Sequence, residues 1–143
     1  MALVPTGAPF EEVKSSGIQT LRAATLPTNS YVACTNDFWV GNYNRVTLLF
    51  TYIKNTATSV EHRVEFSQDG IKWFKGTNRS IGGGITTINL SDPVTKSTAD
   101  LAATDYWIDG FPCAPAYIRV YVKATGTINA AERLTVEAVA NDV

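Results

Sequence analysis

The chain has 143 residues, of which 45% are hydrophobic and 17% are charged, and its formal net charge is −1. A chain of this length fits one domain of ordinary size, and a charge balance near zero argues against the clustered lysines and arginines that nucleic-acid binding requires. The sequence has no apolar run approaching the roughly 20 residues that span a bilayer. The composition therefore predicts one globular domain whose partners are neither nucleic acid nor membrane.

Residues 1–16 are predicted to form an extended N-terminal arm. Pro5 and Pro9 interrupt its hydrophobicity, and Phe10 stands alone before a charged stretch. Since this segment has no basic region followed by an apolar stretch of signal-peptide length, we expect assembly in the cytoplasm without signal-directed export. An arm that contains Val4, Pro5 and Phe10 is suited to lie across a neighbouring subunit, because segments stiffened by proline lose little entropy on docking.

Residues 17–143 are predicted to form a β-sandwich domain, because strand patterns recur with turn residues between them. A short helical turn is predicted near Ser97–Thr104, and a flexible excursion is predicted at 75–84. Eight or nine short strands favour an all-β fold with two antiparallel sheets packed face to face, in a jelly-roll-like sandwich. The clearest strands are Arg45–Lys54, Val60–Phe66, Tyr117–Ala124 and Glu132–Ala140, and weaker ones are predicted at Gly17–Leu26, Tyr31–Cys34, Ile71–Phe74, Ile85–Leu90 and Asp105–Ile108.

Alternation in the clear strands indicates which side chains face the core. In Val60–Phe66, apolar residues and His62 alternate with charged residues, so one face is predicted to be dry and the other wet. The strand Arg45–Lys54 differs because Leu49 and Ile53 make its second face apolar as well. We therefore predict that this strand is central and covered on both faces.

The segment Val64–Phe74 is typical of a hairpin. Ser67 and Asp69 are placed to cap backbone amides, and Gly70 can supply a positive φ. The pattern S-x-D-G-x-x-W resembles the hairpin of discoidin-like and other β-sandwich binding modules, and it is similar to the Asp-box. It departs from that box by lacking a residue between Asp and Gly and by having Lys72 in place of Thr. This departure, and the single copy, argue against a sialidase-type propeller.

Few residues in the sequence indicate chemistry. His62 is the sole histidine and lies on an apolar strand face, so a buried, hydrogen-bonded histidine is predicted; a hydrolase would need it exposed beside a nucleophile. Cys34 and Cys113 are predicted to be reduced thiols packed as small hydrophobic groups. The aspartates are scattered through turns, which favours turn formation, with calcium at one loop end as the alternative. We expect no enzymatic activity, no metal and no cofactor.

Aromatic residues occur in adjacent pairs, so one member of a pair fills the core while its neighbour faces outward. Such outward rings pack under loops, anchor a protein interface or stack on sugar rings. The candidate interface residues are Trp39, Tyr43 and Trp107, together with Val4, Pro5 and Phe10 of the arm.

Three stretches together resemble small virion proteins of tailed phages. They are Asn42–Arg45 leading into VTLLFTYIKN, then SVEHRVEFSQDGIKWF, and finally AYIRVYVKATGTINAAERLTVEAVA, which cover roughly residues 40–75 and 115–140. The resemblance implies a β-sandwich on the phage capsid or tail.

The resemblance further implies a capsid decoration or cement protein on the virion surface. Such proteins bind the major capsid protein between capsomers, stabilise the shell and are commonly homotrimers. No binding residue carries over from the resemblance to a position in this chain. The alternative function is a glycan-binding module of a phage tail or baseplate, in which Trp39, Trp73 or Trp107 would stack on sugars.

Overall fold

The computed structural model describes residues 15–25, 29–81, 85–113, 116–129 and 131–142, with the backbone alone for 77–81 and 85–88. Residues 1–14 of the predicted arm, including Val4, Pro5 and Phe10, lie outside the described residues. The chain is first described at Ser15, which pairs with Asn141 in an isolated antiparallel bridge. Ser16 donates its backbone N–H to the carbonyl oxygen of Ala140 at 2.8 Å. The beginning of the described chain is therefore held against its last strand.

The described residues form strands and one short 3-10 turn, Thr98–Asp100, which lies within the predicted helical turn. The strands are β1 (Gln19–Thr25), β2 (Val32–Ala33), β3 (Phe38–Trp39), β4 (Arg45–Ile53), β5 (Ala57–Ser67), β6 (Thr77–Ile81), β7 (Ile85–Asn89), β8 (Val94–Ser97), β9 (Thr104–Pro112), β10 (Tyr117–Gly126) and β11 (Arg133–Asn141).

Two antiparallel sheets form the body of the fold. The first sheet has the strand order β1-β11-β4-β9, and the second has the order β2-β10-β5-β8, with β3 also paired to β10. The pairs are nested along the chain, because β1 pairs with β11, β2 with β10, β4 with β9 and β5 with β8. A chain doubled on itself in this way and wrapped into two sheets is a jelly roll. The predicted all-β sandwich is confirmed.

The core lies between the sheets and is built by strict alternation. In β5 the apolar residues and His62 face the core as predicted, and the charged residues between Val60 and Phe66 lie on the other face. Burying a valine, leucine, isoleucine or phenylalanine side chain contributes about 1.5–3 kcal/mol to the free energy of folding, relative to leaving it exposed. The inward side chains of the three longest central strands are Val46, Leu48, Phe50 and Tyr52 of β4, Ile118, Val120, Val122 and Ala124 of β10, and Leu134, Val136, Ala138 and Ala140 of β11.

The prediction that β4 is covered on both faces is wrong. The strand is central in its sheet, between β11 and β9, but only its inner face is buried. On the outer face Leu49 is half-buried and Ile53 is exposed. In an antiparallel sheet one face can remain open to solvent, so an apolar second face does not by itself require a covering layer.

Two local predictions also differ from the structure. Residues Ile71–Phe74 do not form a strand: only Phe74 pairs, with Phe66, through backbone hydrogen bonds of 2.7 and 2.9 Å. The carboxylate of Asp69 accepts the backbone N–H groups of Ile71 and Lys72, which holds the chain in a turn. The excursion predicted at 75–84 contains β6, which pairs with β7 in a separate hairpin.

Candidate functional site

The outer face of the second sheet carries a network of charged side chains, here called the charged face. Arg63 and Arg119 each donate to one carboxylate oxygen of Glu65, at 2.7 and 2.9 Å. Partial burial pushes the pKa of Glu65 upward, but the hydrogen bonds from Arg119 and Arg63 outweigh it and hold the pKa below its usual value. The charged face consists of Glu61, Arg63 and Glu65 of β5 and Arg119, Tyr121 and Lys123 of β10.

Aromatic rings complete the charged face. The guanidinium of Arg63 lies 4.0 Å from the ring centroid of Tyr121, and that of Arg119 lies 4.3 Å from the ring centroid of Trp73. Trp73 is therefore half-buried under an arginine. Lys123 also pairs with Glu61, at 3.5 Å. The charges of this face are compensated within the chain itself, which leaves little unmet attraction for a partner.

The outer face of the first sheet is different and is here called the apolar face. It comprises Leu49 and Ile53 of β4 and Tyr106 and Ile108 of β9. Leu49 lies directly opposite Ile108 in the strand register, and Tyr106 is a diagonal neighbour of Leu49. Ile53, Tyr106 and Ile108 are exposed by 43%, 69% and 68%. None of the ion pairs formed among the described residues lies on this face.

Strand β9 turns two aspartates inward together with Trp107 and Phe111, and it turns Tyr106 and Ile108 outward. Asp105, Trp107 and Asp109 lie opposite inward residues of β4, whereas Tyr106 and Ile108 face solvent. Two hydrogen bonds make this orientation possible. Asp105 accepts the backbone N–H of Ala102 at 2.9 Å, and Asp109 lies 2.8 Å from the ring nitrogen Nε2 of His62. Tyr106 and Ile108 are left without a covering group among the described residues.

His62 is buried between the sheets, as predicted, with 4% of its surface exposed. Its ring centroid lies 4.5 Å from that of Phe50, and its Nε2 is engaged by Asp109. A hydrolase would need this side chain exposed beside a nucleophile, and His62 is buried instead. Trp107 packs nearby, stacked on Phe50 with centroids 5.4 Å apart, so it points inward and offers no outward platform.

A shallow cavity lies beside Trp39, and we call it the Trp39 cavity. Its volume is about 330 Å³, and its wall includes Tyr43 as well as Gln19 near the start of β1. Trp39 is 63% exposed, while its neighbours Phe38 and Val40 are buried and anchor the segment. The lining residues are Ser16, Gly17, Ile18, Gln19, Phe38, Trp39, Val40 and Tyr43.

The cysteines lie in the core. Burial raises the pKa of both Cys34 and Cys113 to about 12, so both are protonated thiols at neutral pH. In the part of the chain that the structure describes, no three histidine, cysteine or acidic side chains come together in a way that could hold a metal ion. The described ranges also contain no helix long and apolar enough to cross a membrane.

The candidate interface residues named from the sequence fall into three groups. Trp39 is exposed at its cavity, and Tyr43 lines the same cavity while packing against the core. Trp107 points inward, and the three arm residues lie outside the described chain. Tyr106 and Ile108 were not among the residues predicted from the sequence. The alternation of residues 105–109 is nevertheless a readable signal, because it places Tyr106 and Ile108 on the face opposite to Asp105, Trp107 and Asp109.

Comparisons with known proteins give a distant structural likeness. No protein-family model matches the chain, and no curated protein matches it. Among solved structures, the SPBc2 prophage-derived protein YomS is similar, with a TM-score of 0.48 and 14% sequence identity. That similarity covers 95% of this chain and 100% of the other. A likeness of this degree carries no information on function.

Proposed function

We propose that this protein is a non-enzymatic decoration protein of a tailed-phage capsid, which binds the major capsid protein between capsomers and stabilises the shell. The observation that carries the proposal is the contrast between the two outer sheet faces. The charged face compensates its own charges, whereas the apolar face exposes Ile53, Tyr106 and Ile108. Clustered apolar side chains of this kind mark interaction surfaces, since covering them gains about 25 cal/mol per Å².

The apolar face is bordered by charged residues on the side of β11. Its apolar side chains lie on β4 and on the edge strand β9, and Arg133 and Glu137 of β11 lie opposite Ile53 and Leu49 in the register. Apolar centres with charged margins are common in protein interfaces. A shell that covers this face would gain buried interface area at a point where its subunits meet. A decoration protein stabilises the shell in this way.

The sequence resemblance to tailed-phage virion proteins also supports the proposal. It implies assembly as a homotrimer, and we include this in the proposed function. Sedimentation equilibrium of the full chain tests it: a mass of three chains is expected, and a monomer at all concentrations would remove the trimer from the proposal.

The direct test is co-sedimentation with shells assembled from the major capsid protein of the phage that is proposed to carry this chain. We expect saturable binding at a fixed ratio, weakened about tenfold or more by Tyr106→Ala or Ile108→Ala because each removes apolar contact from the centre of the interface. The matched control is Ile71→Ala, since Ile71 is 81% exposed but lies in the turn after β5. Wild-type binding by both face variants would exclude the apolar face, and absence of binding by the wild type would exclude the function.

A further inference from the structure

Trp39 is an exposed aromatic ring that lies close to Gly41. If Gly41 carried a Cβ atom, that atom would lie 3.5, 3.6 and 3.7 Å from three adjacent carbons of the indole six-membered ring. Nearly equal distances to adjacent ring atoms mean that the glycine approaches the flat face of the ring and not its edge. One face of the indole thus rests on the backbone, and 63% of the residue remains exposed. The ring can stack on a ligand without first losing side-chain freedom.

Two uncharged polar side chains beside the Trp39 ring are unengaged. Among the described residues that line the Trp39 cavity, none is acidic or basic. The side-chain amide of Gln19 and the hydroxyl of Tyr43 form no hydrogen bond with the described residues, so both are free to bind a ligand. Ser16 is already engaged, because its hydroxyl binds the carbonyl oxygen of Gly17 and accepts the N–H of Ala140.

We propose that the Trp39 cavity binds a neutral pyranose sugar, with one sugar face stacked on Trp39 and its hydroxyl groups hydrogen-bonded to Gln19 and Tyr43. A pyranose combines an apolar C–H face with a ring of hydroxyls, which matches a flat aromatic surface bordered by uncharged donors and acceptors. The described lining residues offer no charged side chain to pair with the carboxylate of a sialic acid or with a sugar phosphate, so a neutral sugar suits them better. A volume of about 330 Å³ suits one or two sugar rings.

This site is independent of the proposed shell contact. The cavity is built from β3 and the chain around residues 16–19, whereas the apolar face is built from β4 and β9. Failure of one function therefore leaves the other open, and substitutions can separate the two.

The experiment titrates the full chain with methyl glycosides of glucose, galactose, mannose and N-acetylglucosamine, and with β1,4-linked disaccharides of the same sugars. Binding is followed by saturation-transfer NMR and by tryptophan fluorescence. We expect saturable binding at millimolar or lower concentration by at least one probe. Trp39→Ala should weaken it about tenfold or more, and Gln19→Ala should weaken it to a smaller extent.

Tyr106→Ala is the matched control, because it removes an equally exposed aromatic from the other surface. It should leave sugar binding unchanged while it weakens shell binding. The proposal is overturned if no probe binds at millimolar concentration, or if Trp39→Ala binds sugar as tightly as the wild type. It is equally overturned if Trp39→Ala instead abolishes self-association, which would assign the cavity to a second copy of the chain.

Discussion

Glu132 is a fully buried carboxylate whose partners all come from the segment around the turn between β4 and β5. It accepts the backbone N–H groups of Thr56 and Ala57, both at 2.9 Å, and the hydroxyl of Tyr52. Burial, together with the hydrogen bond to Glu132, raises the pKa of Tyr52 above its ordinary value, so the tyrosine remains a donor. The start of β11 is therefore tied to the turn that connects the two sheets.

Glu132→Gln tests this tie. The amide oxygen can still accept the backbone N–H groups of Thr56 and Ala57, but the NH₂ group replaces the oxygen that accepts from Tyr52 and the charge of the acceptor is lost, so we expect the free energy of unfolding to fall by about 1–2 kcal/mol. Urea denaturation measures the loss. The control is Glu137→Gln, which changes a half-buried residue of the outer face and should alter stability by less than about 0.5 kcal/mol. Equal losses in the two variants would contradict the role given to Glu132.

At the scale of elements, the turn after β5 depends on Gly70. Its φ is +77°, which side chains disfavour, and a Cβ there would make only ordinary contact with Tyr117, at 3.9 Å. Gly70→Ala should therefore cost about 1–2 kcal/mol through backbone strain alone. Gly70→Asn should cost less, since asparagine tolerates this conformation better. Thermal or urea unfolding of both variants measures these losses of stability. A Gly70→Ala protein as stable as the wild type would show that the backbone at residue 70 is not strained by a side chain.

The ion pairs of the charged face, which join β5 to β10, make the free energy of unfolding depend on pH. The pKa of Glu65 is lowered in the folded protein from 4.5, so its ion pairs stabilise the fold above that value. As pH falls from about 5 through the lower folded pKa, the carboxylate is protonated and this stability is lost. We expect the free energy of unfolding to decline over that window and to decline less steeply in Glu65→Gln. Parallel pH profiles for the two proteins would contradict the coupling.

The sequence predicted those elements in which one strand face is apolar and the other polar. Prediction from the sequence failed where local hydrogen bonds decide the structure and where a strand is very short. The carboxylate of Asp69 turns the chain at 71–72 in place of the predicted strand, and β3 has only two residues. The inward aspartates of β9 need His62 and the N–H of Ala102, which come from other segments. Trp39 could be predicted from its aromatic pair, but the cavity beside it could not, because β1 and β3 meet there only in the fold.

At the scale of the whole molecule, the jelly roll gives its two sheets different outer surfaces. On the outer face of the second sheet the charged side chains pair with one another, whereas the first sheet presents the apolar face. The Trp39 cavity lies where residues 16–19, at the start of β1 in the first sheet, meet β3, which pairs with the second sheet. In the account proposed here, the apolar face attaches the protein to the shell while the cavity remains available for a sugar.

Hydroxyl-radical footprinting of the free and shell-bound protein tests the central claim most directly, because it reports the solvent exposure of individual side chains. The account predicts that oxidation of Tyr106 falls strongly on binding, since the ring is 69% exposed in the free chain and would be covered. Oxidation of Trp39 and Phe74 should be unchanged. If Tyr106 is oxidised equally in both states while Trp39 or Phe74 becomes protected, the apolar face is not the surface that binds the shell.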